Sequence, residues 1–163
     1  KHVIAGPEEY DDFVTATLAE ANPHVAGVAM GLARAAYEHG LAYAHERTAG
    51  GLPLVQHQHI RYRLFHMFRK VEMARGMLQR VIAYNATAPQ AALQGSAAAK
   101  VSVTQLAFEV ANEALQMFGG NGMTKEYPME KLVRDARALL IADGCNEMLA
   151  LKGGSLLVNP DLL

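Results

Sequence analysis

Apolar residues recur every three or four positions over three long stretches of this chain. In the second stretch, about 55–84, they form a single series: Ile60, Leu64, Met67, Val71, Ala74, Leu78 and Val81. The third stretch, about 90–118, has the same spacing, with apolar positions that include Val101, Leu106, Phe108, Val110 and Leu115. This spacing is that of one face of an α-helix, and no stretch alternates as a half-buried strand would. The pattern therefore predicts long amphipathic helices.

The first stretch, about 8–46, is interrupted by Pro23. We predict a short helix followed by a long one, with Asn22 as the N-cap of the long helix and Pro23 as its first residue. The apolar face predicted for the long helix contains Val25, Val28, Leu32, Ala35, Ala36, His39 and Tyr43. Small residues between positions 26 and 33 would let a neighbouring helix approach closely.

Glycine and proline mark the ends of the predicted helices. Turns are expected at 48–53, 85–89 and 119–122, followed by a short segment at 128–135. A final helix is expected at 146–152, ending before Gly153 and Gly154. Long amphipathic helices joined by short turns predict an all-α, antiparallel (up-and-down), four-helix-bundle-like fold.

Composition narrows the functional classes. Of 163 residues, 51% are hydrophobic and 19% are charged, which fits a globular domain and excludes a disordered tail. A net charge of -1 without long basic runs argues against nucleic acid or an anionic membrane as partner, and no apolar run is long enough for a membrane span. Cys145 is the single cysteine, which excludes an internal disulfide and favours a reducing, cytoplasmic location.

The seven histidines do not predict a metal site. His59 and His66 lie two turns apart on one helical face, whereas His57 points elsewhere. Metal sites in helical bundles usually use Glu-x-x-His pairs, and the sequence contains none. We therefore interpret the histidines as surface or hydrogen-bonded residues.

Two segments are chemically ambiguous by spacing alone. Residues 143–147 combine an acidic residue, a glycine and small polar residues at a helix start, which suits an anion or oxyanion but also an ordinary N-cap. The glycines at 119–122 follow a helix instead of opening one, the wrong order for a phosphate-binding loop. By spacing they are a turn.

Residues 116–137 read QMFGGNGMTKEYPMEKLVRDAR. They resemble the acyl-CoA dehydrogenase pattern Q-x-x-G-G-x-G, then an acidic-aromatic-proline triplet, then R-D. Upstream, Glu46-Arg47, Gly51 and His57-Gln58 resemble a second motif of that family. The resemblance extends over about 22–151, which is nearly the whole chain.

The resemblance implies the C-terminal helical domain of a flavoprotein, following an N-terminal helical domain and a middle β-domain. We accordingly expect a fragment in which 1–14 is a lead-in from the missing β-domain and 15–163 is the bundle. Arg47 and Gln58, with His57 beside them, match positions that hold the pyrophosphate and adenylate of FAD. A guanidinium fork suits a diphosphate, and an amide suits ribose or adenine.

Gln116, Gly119 and Gly120 match positions at which a neighbouring subunit touches the same FAD. The resemblance thus implies a homodimer or homotetramer whose site is shared between Arg47 and Gln58 of one chain and 116–120 of its partner. Gly144 matches a position beside the acyl thioester, and Glu147 one at the FAD. An electron-transfer acceptor is a further partner compatible with the family.

Asp143 stands where the family usually has its catalytic glutamate. Aspartate is shorter by about 1.5 Å, one C–C bond, and a misplacement near 1 Å can cost about 10²-fold in rate. Some relatives carry their glutamate at the position of Ala21, next to Glu20 in this chain. We predict an oxidoreductase acting on CH–CH donors by α,β-dehydrogenation of an acyl-CoA thioester, with Asp143 as base and the isolated domain inactive. The alternatives are altered flavin chemistry or a non-catalytic oligomerisation bundle.

Overall fold

A computed structural model describes residues 2–159 of the chain. Its α-helices are α1 (Tyr10–Glu46), α2 (Gln58–Thr87), α3 (Leu93–Phe118), α4 (Met129–Leu139) and α5 (Asn146–Val158). Two-residue strands β1 (Thr48–Ala49) and β2 (Leu52–Pro53) pair antiparallel between α1 and α2. Short 3-10 turns cover Leu54–Gln56 and Gly119–Met123. The predicted all-α, up-and-down fold is confirmed.

Helix α3 is the central helix, since α1, α2, α4 and α5 all pack against it. Helix α2 is antiparallel to α3. Lys70 Nζ lies 2.7 Å from Glu109 Oε2, and further along α2 Asn85 Nδ2 donates to Ser96 Oγ at 3.0 Å, so rising numbers on α2 meet falling numbers on α3.

The buried face of α2 is the predicted one. Every residue of the predicted series is buried, and no other α2 residue is: Ile60, Leu64, Met67, Val71, Ala74, Leu78 and Val81. The large side chains of this face other than Val81 pack with the small residues of α1 and with α3 in one core. Burial of each such side chain contributes roughly 1.5–3 kcal/mol, which makes this face the main anchor of α2.

The predicted helix break at Pro23 is wrong. Helix α1 continues through Pro23, which is buried together with its predicted N-cap Asn22. An internal proline removes one backbone hydrogen bond, but the imidazole of His24 donates through Nδ1 to the Glu20 carbonyl at 2.8 Å in the same turn. Burial of this turn in the bundle overrides the local preference for a break. Within residues 2–159, neither Nδ2 nor Oδ1 of the Asn22 amide has a hydrogen-bond partner.

The predicted apolar face of α1 coincides only in part with the buried one, since Val25, Ala36 and Tyr43 are buried as predicted. Val28 is 62% exposed and His39 is exposed, whereas most of the inward face consists of small residues: Ala26, Ala29, Ala33, Ala36, Gly40 and Ala44. A Cβ on Gly40 would lie 3.5 Å from the Ala114 Cβ of α3. Close approach of the two helices, which requires small side chains, decides the buried face here.

The predicted end of the last helix at Gly153 and Gly154 is also wrong. Helix α5 continues to Val158, and neither glycine has a positive φ. Each glycine weakens a helix by about 1 kcal/mol relative to alanine without ending it. At the other end, α1 begins at Tyr10, inside the range expected as lead-in. Residue 1 and residues 160–163, the outer limits of the predicted ranges, lie outside the described residues.

Candidate functional site

A notch of about 300 Å³ lies where α1 and α3 both end. We call this the notch; its lining residues are Tyr43, Arg47, Ala49, Leu54 and 116–121. Arg47 directly follows α1, and Gln116, Gly119 and Gly120 come from the end of α3. Four of the residues predicted to bind the cofactor are thus brought together, and all four belong to one chain.

The floor of the notch is an aromatic cluster. The ring of Tyr43 stacks on Phe118 with centroids 3.9 Å apart, and Tyr127 meets the two rings edge-on at 5.6 and 5.1 Å. Asn121 Nδ2 donates to the Tyr43 hydroxyl at 2.9 Å, which ties the glycine-rich turn to α1. Each aromatic pair adds roughly 0.5–1.5 kcal/mol beyond its buried area, so the floor is firmly held. The sequence did not indicate that Tyr43 and Asn121 would meet.

The glycines of this turn are required for different physical reasons. Gly119 has φ +59°, a conformation that side chains disfavour. A Cβ on Gly122 would lie 2.8 Å from the Leu115 carbonyl oxygen and 3.0 Å from the Phe118 Cβ, so packing requires that glycine. Gly120 has no positive φ, and a Cβ there would meet nothing within 4 Å. Nothing inside the described chain explains Gly120, which leaves its backbone open to a group approaching from outside.

The other predicted cofactor residues lie beside the notch. Arg47 is exposed and forms no ion pair with any residue in 2–159. His57 is half-buried and donates through Nε2 to the Ala49 carbonyl at 2.9 Å, which closes the β1–β2 hairpin. Gln58 is the exposed first residue of α2. His57 and Gln58 do not line the notch itself.

The candidate base lies in the turn between α4 and α5. Asp143 has φ +51° and Gly144 has φ +96°, so two consecutive residues adopt left-handed backbone. Aspartate is one of the few non-glycine residues enriched there. A Cβ on Gly144 would lie 3.3 Å from the Leu149 Cγ, which adds a packing reason for that glycine. Cys145, not Asp143, is the N-cap of α5, and it makes no side-chain capping bond.

This turn exposes its acidic groups. Asp143 and Glu147 are both exposed, whereas the Cys145 side chain is half-buried. Glu20, the neighbour of Ala21, lines a separate groove with Pro23 and His24. Among residues 2–159, no three His, Cys, Asp or Glu side chains form a group that could hold a metal ion, and no helix is long and apolar enough to cross a membrane.

Beneath the turn lies a buried lysine that sequence reasoning missed. Lys100 is 0% exposed, and its ammonium donates to the Gly144 carbonyl at 2.7 Å and to Asn146 Oδ1 at 2.8 Å. Burial lowers the pKa of Lys100, while Cys145, Asp143 and Glu147 act in the opposite direction. The one sequence signal was a lone lysine between the apolar residues 97–99 and Val101.

The notch and the α4–α5 turn lie at opposite ends of α3. Lys100 lies in the second turn of that helix and Phe118 ends it, a separation of about 27 Å at 1.5 Å per residue. One chain therefore presents two groups of functional candidates that do not face each other across a single cavity.

Comparison with known proteins identifies the family to which this helical domain is similar. Residues 12–154 match the family described as "Acyl-CoA dehydrogenase, C-terminal domain". The chain is 38% identical over 122 residues to the 3-sulfinopropanoyl-CoA desulfinase of Advenella mimigardefordensis, covering 75% of this chain and 30% of that protein. It is 34% identical over 124 residues to an acyl-CoA dehydrogenase of Bacillus subtilis, covering 76% and 32% respectively.

The fold comparison agrees with the sequence comparison. The structure of butyryl-CoA dehydrogenase from Megasphaera elsdenii superposes with a TM-score of 0.87 at 30% identity, covering 93% of this chain and 39% of that one. The chain spans about a third of the length of the curated relatives it matches.

Proposed function

This chain belongs to the acyl-CoA dehydrogenase family, and from that premise we propose that it is the C-terminal domain of an FAD enzyme that oxidises an acyl-CoA thioester to its α,β-unsaturated product. The observation that carries the proposal is the notch, which is lined by the exposed Gln116, the open backbone of Gly120 and an Arg47 that has no ion-pair partner among residues 2–159. An unpaired guanidinium beside open backbone suits a diphosphate.

The residues of the notch fit the adenosine diphosphate half of FAD. Arg47 would bind the pyrophosphate. Gln116 would form hydrogen bonds with polar atoms of the adenosine diphosphate, and Gly120 would let the cofactor contact the protein backbone. FAD, when bound, supplies the acceptor for the hydride that leaves the β-carbon. His57 has a supporting part, since its bond to Ala49 fixes the hairpin that follows Arg47.

Asp143 is proposed as the base that removes the α-proton of the thioester. Its exposed carboxylate projects from a turn whose left-handed backbone is set by Asp143 and Gly144 together. Gly144, where a side chain would crowd Leu149, leaves room for the thioester carbonyl to approach the backbone. Glu147, in the first turn of α5, would lie at the edge of the flavin site.

We propose that FAD is shared between subunits in a different way from the one that the sequence resemblance implies. The sequence expectation divided Arg47 and 116–120 between two chains, but both groups line the notch of one chain. Since the α4–α5 turn lies about 27 Å away along α3, we propose that the notch completes the cofactor site of a partner subunit while Asp143 serves its own chain's site. A homodimer, alone or within a tetramer, satisfies this arrangement.

A second candidate function is a different reaction on an acyl-CoA, by the same cofactor site. Aspartate in place of the family's glutamate favours it, as does the relative named as a desulfinase at 38% identity. The product distinguishes the two. Dehydrogenation yields a 2-enoyl-CoA and reduced flavin, whereas a desulfinase reaction cleaves a C–S bond.

Glycine substitutions in the notch test the cofactor proposal. Gly120→Ala is expected to leave the melting temperature of the full-length protein within about 1 °C of the parent, because the new methyl has no atom of residues 2–159 within 4 Å. It should weaken FAD binding several-fold, because the methyl enters the space assigned to the cofactor. The measurements are calorimetric FAD affinity and thermal unfolding of the apoprotein.

Gly122→Ala is the matched control. Its methyl would overlap Leu115 and Phe118, so it should destabilise the apoprotein by roughly 1–3 kcal/mol. If Gly120→Ala binds FAD as tightly as the parent, the cofactor does not approach the notch at Gly120, and the assignment of this site is wrong.

A further inference from the structure

Lys100 is the one fully buried charged residue among those described. An ammonium has three donors, and Lys100 has an acceptor for each: the carbonyls of Leu140 (3.4 Å) and Gly144 (2.7 Å) and Oδ1 of Asn146 (2.8 Å). All three acceptors lie within 140–146, the segment that carries Asp143. The two carbonyls come from residues on either side of Asp143.

Stability alone does not account for a lysine at this position. A buried charge is costly unless it is fully hydrogen-bonded, and replacing buried charged groups by apolar side chains is often neutral or stabilising. What an apolar residue could not do is hold two backbone carbonyls and an amide oxygen at fixed positions. The lysine therefore specifies the conformation of residues 140–146.

That conformation needs support. Asp143 and Gly144 are consecutive residues with positive φ, and a non-glycine residue in left-handed backbone costs about 1–2 kcal/mol. The turn has one backbone bond across it, from the Asn146 amide to the Leu140 carbonyl at 3.0 Å. Lys100 adds a second connection from the neighbouring helix α3.

Asn146 extends this connection and fixes the start of α5. While its Oδ1 accepts from Lys100, its Nδ2 donates to Thr104 Oγ1 at 3.0 Å. Thr104 in turn donates to the backbone carbonyl of Lys100 at 2.8 Å, so the three residues belong to one connected hydrogen-bond network. Movement of Lys100 would be transmitted to both sides of Asp143.

We propose that Lys100 is a positioning residue for Asp143, holding the α4–α5 turn so that the Asp143 carboxylate keeps one place relative to the substrate. The proposal rests on the proposed function, in which Asp143 is the base. Lys100 itself touches neither substrate nor cofactor in this role. Its ammonium is fully used by the turn.

The test uses the full-length holoenzyme with Lys100→Met, which keeps the length of the side chain and removes the charge. Flavin content and KM should stay near those of the parent, and kcat should fall about 10²-fold, the loss typical of a displacement near 1 Å. In an Asp143→Asn background, Lys100→Met should cause little further loss. The matched control is Lys131→Met, on the exposed face of α4, which should retain parent kcat.

Parent-like kcat in Lys100→Met would overturn the proposal. A full, additive loss in the Asp143→Asn background would do the same, because Lys100 would then act independently of Asp143. If Lys100→Met does not fold, Asn146→Ala replaces it. That variant removes one of the three acceptors and should lower kcat by a smaller factor with the same dependence on Asp143.

Hydrogen exchange separates this proposal from the proposed function. In Lys100→Met the Asn146 and Leu149 amides, which close the turn and begin α5, should exchange at least about tenfold faster than in the parent, with α2 unchanged. Unchanged exchange at these amides would overturn the positioning role even if the parent reduces its flavin normally. A parent that fails to reduce flavin with an acyl-CoA, but shows the exchange difference, counts against the proposed function alone.

Discussion

Asp143→Asn is expected to slow flavin reduction by an acyl-CoA about 10²- to 10⁴-fold, the usual contribution of a general base. The amide has the shape of the carboxylate but cannot accept the α-proton. Asparagine tolerates left-handed backbone as well as aspartate does, so the turn at φ +51° should persist. The measurement is anaerobic stopped-flow reduction of the full-length enzyme, with bound flavin quantified in the same sample.

Asp143→Glu is the matched control. Glutamate restores about 1.5 Å of reach, so the rate should equal or exceed that of the parent. Left-handed backbone is less favourable for glutamate than for aspartate, and a slightly lower melting temperature should accompany the change. If Asp143→Asn reduces its flavin as fast as the parent, Asp143 is not the base, and Glu20 in its separate groove becomes the first residue to test.

Arg47→Ala is expected to weaken FAD binding roughly ten- to hundredfold, because a hydrogen bond to a charged group contributes about 1.5–3 kcal/mol. Within the described residues Arg47 has no carboxylate partner, so its removal should leave thermal stability of the apoprotein unchanged. Arg34→Ala is the control, an exposed arginine of α1 paired with Glu38. Equal FAD affinity in the two variants would contradict the role of Arg47.

The same variant tests which subunit each group serves. Mixed dimers of an Arg47→Ala chain and an Asp143→Asn chain should contain one site with an intact notch and an intact base. Such dimers should recover about half of the parent activity at an FAD concentration where each homodimer is nearly inactive. No recovery would mean that Arg47 and Asp143 of one chain act on the same cofactor.

The sequence predicted large-residue faces well and small-residue faces poorly. On α2 the burial of Leu64, Met67 and Val71 follows from their hydrophobicity alone, so periodicity identified the whole face. On α1 the inward face is mostly alanine and glycine, and the more apolar Val28 points outward. What selects that face is the closeness of α3, which periodicity cannot register. The helix break predicted at Pro23 was wrong for a similar reason. Local rules exclude a proline from the interior of a helix, but burial of this turn in the bundle stabilises the continuous helix.

Within the candidate site, resemblance supplied residues but not their arrangement. It identified Arg47 and Gly120 but assigned them to different chains at the cofactor, whereas one chain brings both to one notch. The role of Lys100 could not be predicted from the sequence because its hydrogen-bond partners lie 40 to 46 residues away. A single lysine among apolar residues does not indicate which groups it binds. Only the packing of α3 against the α4–α5 turn reveals its role.

Anaerobic titration of the full-length flavoprotein with saturated acyl-CoA thioesters tests the central claim most directly. We expect the oxidised flavin absorbance to bleach with a matching yield of 2-enoyl-CoA, and the bleaching to be lost in Asp143→Asn. Flavin that stays oxidised with every saturated acyl-CoA, or a purified protein that carries no flavin, would contradict the account.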